Sequence, residues 1–323
     1  MKLVILGAGL SGHMAYGFFR GLSPVVFDRK EESRSFLSEH KAVMRFKEPY
    51  AGMLLGVQIE QVTVHKQVMM DGNLTDECSI RANNLYSRKV SDGLSARSLG
   101  ELGRVKRYVI CSEEMPNNRF NYGFSLIAVT KGKLYFSTAN SENPDCVVEY
   151  DMCISTIPII YLAKLVKPMV FKDNSESEFG YVPIYTVSGE LGFSSSLHQT
   201  IYYPDRDHSA YRATLEGKHI IIESLSELGS DELESILGNF GLFLPDVENL
   251  KRHRQELGKL YSTRDDDRKN MIMCLTREFD IYSIGRYAIW KQVRSDDLVL
   301  DLRHVSKLMR LTAIGREYAS YLG

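Results

Sequence analysis

The first 30 residues alternate short apolar runs with a glycine-rich stretch. Apolar residues 3–6 and 25–27 predict two short strands, and the alanine- and aromatic-bearing stretch His13 to Leu22 between them predicts a helix. Three glycines follow the first strand directly: Gly7, Gly9 and Gly12. The order strand, tight turn, helix, strand predicts a β-α-β unit at the start of the chain.

The later pattern predicts mainly strands and hairpins, closed by a long helix. Residues 57–70 predict a strand that ends in a hairpin turn at Asp71-Gly72-Asn73, and residues 125–130 and 133–138 predict a second hairpin. Residues 147–155 are predicted as one apolar strand. Further strands are predicted at 105–111, 181–191, 219–225 and 279–284, and helices at 79–90, 230–239 with Ser230 as N-cap, and 296–321. The polar stretch 31–40 is helix or loop, and Asp265 to Asp267 are expected in a solvated loop.

Composition places the chain among ordinary globular proteins. It has 323 residues, of which 44% are hydrophobic and 25% charged, and a net charge of -1. A single core usually divides at this length, so we expect two lobes. No apolar stretch approaches the roughly 20 residues of a membrane span, and we expect no signal peptide and no membrane partner. The five cysteines are odd in number and lack metal-ligand spacing, so we expect reduced thiols, no metal and a cytoplasmic location.

The glycine spacing G-x-G-x-x-G, between a predicted strand and helix, indicates a dinucleotide site. The first glycine permits the tight turn, the second lets a pyrophosphate approach the backbone, and the third lets helix and strand pack closely. Asp28, at the end of the second strand, can accept hydrogen bonds from ribose hydroxyls, and the helix N-terminus favours phosphate. The expected cofactor contacts in this unit are Gly7, Ala8, Gly9, Leu10, Ser11, Gly12, Asp28 and Arg29.

The middle of the chain predicts a β-meander where a dehydrogenase would have a second β-α-β half. This arrangement is typical of flavoproteins of the glutathione-reductase type, and the chain resembles the FAD-binding family that includes amine oxidases, protoporphyrinogen oxidase and UDP-galactopyranose mutase. Four motifs carry the resemblance. They are GAGLSG with Asp28, Ser155-Thr156-Ile157-Pro158, Gly285-Arg286-x-x-x-Trp290-Lys291 followed by Asp296, and Tyr211-Arg212-x-x-x-Glu216-x-Lys218-His219. Residues 39–56 depart from the mutases, which have paired glycines and a histidine there.

The resemblance implies an α/β fold, with a Rossmann-type FAD-binding domain, a β-meander crossover and a smaller inserted α+β substrate lobe. The FAD-binding domain would comprise residues 1–40, 104–157 and 279–323, and the substrate lobe residues 41–103 and 158–278. Further FAD contacts would be Thr156, Pro158, Gly285, Arg286, Asp296, Asp297 and Leu298. The expected catalytic residues are Lys218, His219, Trp290 and Arg45. Each of these residues also has a structural alternative. Trp290 could be a core residue, Lys218 and His219 could simply flank a strand, and Arg45 could be an ordinary charge on a strand.

Three segments resemble a group of compact flavoproteins encoded in bacteriophage genomes: residues 45–46, 84–90 and 283–290. Some members of that group serve the hypermodification of thymine in phage DNA by oxidising an amino-acid adduct on the base. The resemblance implies a small-molecule or modified-nucleotide substrate and the host cytoplasm. DNA stays open as a partner, because the basic run Lys251 to Arg254 could contact its phosphates. Such a run is more often a solvated face.

The chain shows no Ser-His-Asp or Cys-His arrangement, as suits a protein whose cofactor supplies the chemistry. The leading interpretation is an FAD-dependent, amine oxidase-like enzyme that oxidises a C–N bond of an amine or amino-acid-type substrate by hydride transfer to flavin N5. One alternative is a mutase-like isomerase that uses reduced flavin. Another is a non-catalytic protein that binds a dinucleotide.

Overall fold

A computed structural model describes residues 1–31, 43–91, 99–112, 115–116, 118–138, 143–167, 179–193, 195–262 and 265–322. The expectation for residues 31–40 falls almost wholly outside these ranges. The described helices are α1 Leu10–Phe19, α2 Pro49–Leu54, α3 Ile80–Ser91, α4 Ile159–Leu165, α5 Ser230–Gly238, α6 Asp265–Phe279 and α7 Asp297–Leu322. The strands are β1 Leu3–Leu6, β2 Val25–Phe27, β3 Arg45–Phe46, β4 Ile59–Met70, β5 Asn73–Thr75, β6 Gly103–Ile110, β7 Ser125–Thr130, β8 Lys133–Ser137, β9 Cys146–Glu149, β10 Met152–Ser155, β11 Phe179–Leu191, β12 His198–Tyr202, β13 Ala210–Glu216, β14 His219–Ser224, β15 Val247–Ser262 and β16 Ile281–Ser283.

A four-stranded parallel sheet forms the first layer, in the order β16-β10-β1-β2. All four residues of β1 are buried, because a parallel sheet has both faces covered and therefore needs continuously apolar strands. Helices α1 and α7 pack on one face, and the meander with α4 and α6 packs on the other. The predicted β-α-β start and the Rossmann-type fold class are confirmed.

The meander β7-β8-β9 is a separate antiparallel sheet, as predicted. The single strand predicted at 147–155 is wrong, because the chain changes sheets in its middle. The Tyr150 N–H donates to the Gly132 carbonyl in the meander at 3.0 Å. The next N–H, of Asp151, donates to the Lys2 carbonyl beside β1 at 3.0 Å. The prediction of one strand passed over Glu149 and Asp151, the two charged residues at the point where the chain crosses from one sheet to the other.

The second lobe is built on a nine-stranded sheet in the order β15-β11-β14-β13-β12-β4-β6-β3, with β5 paired to β4. Strands β4 and β5 meet at the predicted hairpin turn, where Asp71 and Gly72 both have positive φ. Strand β6 pairs with β4, so this sheet includes residues 104–110 from the range 104–157 that we assigned to the FAD-binding domain. Helix α2, in contrast, packs against α1 although residues 41–103 were expected in the other lobe.

The two faces of the nine-stranded sheet differ in chemistry. One face is apolar and is covered by α5, with Ile201, Leu215 and Ile222 among the side chains that meet Leu233 and Ile236. The opposite face carries charged and hydroxyl side chains. Because successive side chains of a strand point to opposite faces, each central strand contributes to both.

Helix ends account for most of the remaining differences from the prediction. Helix α5 begins at Ser230, but its N-cap is Gly229 and no side chain caps it. Asp265 to Asp267 form the first turn of α6 and not a loop, and acidic residues suit that position. Phe279 ends that helix, so β16 begins only at Ile281. Among the described residues, no helix has both the length and the apolar character needed to cross a membrane.

Candidate cofactor and substrate site

The glycine loop joins β1 to α1 in a tight turn. Gly7 has φ +97°, and its N–H donates to the Phe27 carbonyl of β2 at 2.8 Å. A Cβ on Gly12 would lie 1.9 Å from the Gly7 carbonyl oxygen. A side chain at either position would force the loop open, so both glycines are required by the protein's own backbone.

The other two motifs of the parallel sheet lie against this loop. The Thr156 hydroxyl, just after β10, donates to the Leu6 carbonyl at 2.8 Å. Gly285, just after β16, has φ +86°, and a Cβ there would lie 2.3 Å from Ser11 Oγ. Leu298 in the first turn of α7 borders the same point. Three strand ends and the start of α7 therefore meet at the carboxyl edge of the sheet, where open α/β sheets bind ligands.

Three features of this edge fit a dinucleotide. Gly9 has an ordinary φ of -76°, and a Cβ there would meet none of the described residues within 4 Å, so neither the backbone nor these neighbours explain the glycine. The hydroxyls of Ser155 and Ser283 are buried, and neither has a hydrogen-bond partner among the described residues. These two serines are register partners at the ends of β10 and β16. Open space at the N-terminus of α1 and two buried hydroxyls suit a polar ligand with a pyrophosphate.

Asp28 braces the glycine loop. Its Oδ2 accepts a hydrogen bond from the Ala8 N–H at 2.6 Å, and its Oδ1 accepts one from the Lys30 N–H at 2.8 Å. Each carboxylate oxygen has a further lone pair, so ribose hydroxyls can still bind there. Arg29 is exposed beside it. The roles of both residues toward the cofactor remain predictions.

Arg286 contacts the second lobe. Its guanidinium lies 4.5 Å from the ring centroid of Tyr287, donates to the Tyr287 hydroxyl, and reaches the Leu257 carbonyl of β15 at 3.4 Å. Gln255 donates to the same hydroxyl. The motif after β16 is thereby tied to β15, and a contact of Arg286 with the cofactor stays a prediction.

The remaining expected cofactor residues mark helix starts. Asp296 accepts hydrogen bonds from the backbone N–H of Lys47 at 3.1 Å, which ties the segment after β3 to the start of α7. Asp297 accepts one from the Arg294 N–H at 3.0 Å. The Pro158 carbonyl accepts the first bond of α4 from Leu162. Leu10 opens α1 and packs partly against the core.

Trp290 lies in the core. Its side chain is 1% exposed, and it packs edge-on against Phe179 with ring centroids 5.8 Å apart. This is the core position that the sequence left open, and the catalytic role that we expected stays a prediction.

Arg45 spans the polar face of the nine-stranded sheet. Its Nε lies 2.5 Å from Glu216, and its other nitrogens donate to the Thr200 hydroxyl at 2.6 Å and the Leu215 carbonyl at 2.9 Å. In sheet order β3 and β13 are four strands apart, roughly 19 Å in a flat sheet. The contact therefore requires the sheet to curl, and the polar face, hereafter the concave face, is the inner side of that curl.

Glu216 is the centre of a side-chain cluster beside a cleft of about 430 Å³. Its second oxygen lies 2.5 Å from His198 Nδ1, and its register partner on β14 is His219. Lys218, in the turn between these strands, is 3.1 Å from Glu190. The structure thus brings three of the four expected catalytic residues to one part of the sheet, with Arg45 on Glu216 and with Lys218 and His219 beside Glu190. The cleft is also lined by Glu60, Cys111 and Gly192.

A second charged pair lies further along the concave face. Arg212 donates to Glu223, which also accepts the Tyr211 hydroxyl at 2.9 Å, and the Lys259 ammonium lies 4.0 Å from the Tyr211 ring centroid. Burial opposes ionisation of Glu223, but attraction by Arg212 and Lys259 prevails and lowers its pKa to about 2. The pair is therefore charged at any physiological pH.

Sequence reasoning missed three of these groups, namely His198, Glu223 and Lys259. A signal for them exists in strand alternation. Arg212, Thr214 and Glu216 recur at every second position of β13, which places all three on one face. When both faces of a strand are buried and one of them is polar, that arrangement indicates a cavity lined by the polar face.

The basic run Lys251 to Arg254 lies on β15, an edge strand, so its side chains alternate between the two faces. Arg252 donates to the Leu228 carbonyl, and Arg254 lies 3.2 Å from Glu256. The four basic residues are therefore divided between the two faces of the sheet, and two of them contact other groups of the protein. Its contact with nucleic-acid phosphates stays a prediction.

Comparisons with known proteins identify the fold of this chain. No protein-family model matches the chain, and no curated protein matches it significantly. Reduced UDP-galactopyranose mutase is similar in structure with a TM-score of 0.65 and 18% identity, over 96% of this chain and 94% of that chain. A CLA-producing fatty acid isomerase from P. acnes gives a TM-score of 0.59 and 9% identity, over 95% and 98% of the two chains.

A protein from Exiguobacterium sp. 255-15, whose proposed activity is that of a protoporphyrinogen oxidase, gives a TM-score of 0.58 and 12% identity over 96% of this chain and 99% of that one. The similarity in each case covers both lobes, and the identities are too low to carry an activity across. The chain therefore has the fold of these structures, with a Rossmann-type parallel sheet, a meander crossover and an inserted sheet lobe.

Proposed function

We propose that this protein is an FAD-dependent oxidoreductase that oxidises a C–N bond of an amine or amino-acid-type substrate. The observation that carries the proposal is the convergence at one sheet edge of the open space at Gly9 and the hydroxyls of Ser155 and Ser283, which have no hydrogen-bond partner in the described part of the chain. A charged concave face in the second lobe, tied to that edge through Arg286 and Asp296, supports a substrate site next to the cofactor.

The chain's own groups would hold FAD in defined places. The loop from Gly7 to Gly12 and the N-terminus of α1 would take the pyrophosphate, and Asp28 the ribose. The start of α7, with Asp297 and Leu298, would face the flavin, and Arg286 would bind beside it. Bound FAD supplies the two-electron acceptor that protein side chains lack.

The reaction would convert an amine to an imine. The substrate loses a hydride from carbon and a proton from nitrogen, and molecular oxygen takes up two electrons and two protons to give hydrogen peroxide. The cluster of Arg45, Glu216 and His198 offers groups that bind and orient a polar substrate. An amino-acid adduct on a modified thymine of phage DNA belongs to this substrate class and is the finer form of the proposal.

We expect purified protein to lose its yellow colour when mixed without oxygen with a substrate of this class, and to regain it in air with one hydrogen peroxide formed per turnover. Flavin absorbance in a stopped-flow instrument, with a panel of amines and amino acids, measures both steps. Boiled protein with free FAD is the control.

Two outcomes would contradict oxidation of a C–N bond. A protein that converts a sugar nucleotide only after prior reduction, without net consumption of reductant, would be an isomerase, the chemistry named for two of the similar structures. A protein that holds FAD but shows no spectral change with any substrate would be a non-catalytic binder.

A further inference from the structure

Glu216 joins Arg45 to His198 beside the cleft of the second lobe. One of its carboxylate oxygens lies 2.5 Å from Arg45 Nε, and the other lies 2.5 Å from His198 Nδ1. Arg45 and Glu216 are almost completely buried, whereas His198 is partly exposed and lines the cleft. A buried carboxylate held by a cation on one side fixes the imidazole on its other side, so the protein sets the orientation of the His198 ring.

The same contacts determine which nitrogen of His198 carries the proton. The Glu216 carboxylate faces a guanidinium, and an opposite charge at this distance favours its ionised form. An ionised carboxylate only accepts hydrogen bonds, so His198 Nδ1 donates to it. In the neutral ring the lone pair is then on Nε2. We assign this tautomer from the hydrogen-bond partners.

The Nε2 atom of His198 is open to the cleft. It has no hydrogen-bond partner among the residues that the structure describes, and it is not buried. A second imidazole that lines the cleft, that of His219, has its Nε2 buried, and the Lys218 ammonium lies 3.1 Å from Glu190. His198 therefore presents to the cleft an accessible nitrogen with a lone pair.

The cleft also has an apolar wall. The apolar side chains that line it are Val109, Ile110, Leu191 and Phe193. The Phe193 side chain is half exposed, and the carboxylate of Glu60 lies at the same cleft. A volume of about 430 Å³ is within the range that takes a small molecule. These walls suit an amine that has an apolar or aromatic substituent.

A short stretch of chain connects this site to the cofactor edge. Arg45 lies two residues before Lys47, whose N–H donates to Asp296 at 3.1 Å, immediately before α7. Two residues of chain span at most about 8 Å between Cα atoms. The strand that carries Arg45 is therefore fastened to the helix start that would face the flavin.

We propose that His198 is the catalytic base that takes a proton from the substrate's ammonium group, with Glu216 as its positioning residue. The proposal rests on the proposed function. A hydride can leave carbon only when the nitrogen lone pair is free to form the C=N bond, so the ammonium must first lose a proton. The N–H bond breaks, its electron pair stays on the substrate nitrogen, and the proton binds His198 Nε2. Glu216 stabilises the imidazolium, which returns the proton to water after the product leaves.

The tautomer of His198 is a readout that needs no turnover. Long-range ¹H–¹⁵N correlation spectra of the labelled holoprotein should show the neutral ring with its proton on Nδ1, assigned by loss of these signals in His198→Ala. In Glu216→Gln the amide oxygen must face Arg45, which only donates, so the amide NH₂ meets Nδ1 and the ring proton should move to Nε2. A purely structural role of Glu216 predicts no such reversal.

Binding of two matched cations tests the acceptor itself. Benzylamine and benzyltrimethylammonium have the same charge and ring, but only the first has N–H donors. By calorimetry of the holoprotein, with its flavin kept reduced so that no amine is oxidised, benzylamine should bind about ten- to hundredfold more tightly. His198→Ala should abolish this preference. His65→Ala is the matched control, because His65 also contacts a carboxylate, Asp76 at 2.9 Å, and does not line the cleft.

Rescue by a free base tests the proton transfer. With an amine that reduces the flavin, His198→Ala should slow flavin reduction about hundredfold or more. Added imidazole, which fits the vacated space and can donate to Glu216, should restore part of the rate. His65→Ala should keep the wild-type rate with or without imidazole.

A wild-type ring proton on Nε2, equal binding of the two probes, or a preference that survives His198→Ala would overturn the proposal. Flavin reduction at the wild-type rate in His198→Ala, or a slow rate that imidazole does not restore, would also overturn it and leave the proposed function intact. A protein that oxidises no amine would refute the proposed function and with it the catalytic step, whereas the tautomer and the probe preference would still decide whether His198 accepts an ammonium proton donor.

Discussion

Gly9→Ala is expected to weaken FAD binding about ten- to hundredfold while leaving the fold intact. The added methyl group meets no atom of the residues that the structure describes within 4 Å, and the φ of -76° is one that alanine adopts readily. Stability of the cofactor-free protein should stay within about 1 kcal/mol of wild type. The methyl group instead occupies the space through which a pyrophosphate reaches the backbone, and overpacking of that kind costs about 1–3 kcal/mol.

Gly12→Ala is the matched control for the same loop. Its methyl group would lie 1.9 Å from the Gly7 carbonyl, so the loop itself must shift and the cofactor-free protein should lose about 2–4 kcal/mol. Urea unfolding of both variants, with fluorescence titration of FAD, separates the two effects. If Gly9→Ala binds FAD like wild type, the pyrophosphate does not pass over this glycine.

Arg45→Met is expected to lower the free energy of unfolding by about 3–5 kcal/mol, because removing one partner of a buried ion pair leaves the other charge uncompensated. The side chains of Arg45 and Glu216 are only 8% and 6% exposed. Arg45 also connects β3 to β12 and β13 across the concave face, so its loss releases the curl of the sheet.

The double variant Arg45→Met, Glu216→Leu should be more stable than the sum of the two single changes by at least about 1 kcal/mol, since no buried charge is then stranded. Equilibrium unfolding of the four proteins in urea gives this coupling energy. Additive effects, or a loss below about 1 kcal/mol for Arg45→Met, would show that the pair does not hold the sheet in its curled form.

Short-range chemistry explains what the sequence could predict of the fold. The glycine turn and the Asp71-Gly72 hairpin depend on positive φ at particular residues, so they can be read from those residues alone. The change of sheet at Tyr150 and Asp151 depends on hydrogen bonds to Gly132 and Lys2, which are distant in sequence. Apolar pattern carries no information about such partners.

The candidate site likewise has parts that could be predicted from the sequence and parts that could not. The three motifs around the cofactor edge are visible because each has a fixed spacing and a local backbone requirement. The pair of Arg45 with Glu216, 171 residues apart, arises from the curl of a sheet. A motif gives a residue's place in the chain and not the depth at which its side chain lies, so the buried position of Trp290 could not be predicted from its motif.

The identity of the bound cofactor tests the central claim most directly. Protein purified under native conditions should be yellow, and heat denaturation should release a ligand with the mass of FAD, bound without a covalent link, in a ratio approaching one per chain. Mass spectrometry of the supernatant and an absorbance spectrum measure both. A colourless protein that cannot be reconstituted with FAD and binds NADH tightly would contradict the account.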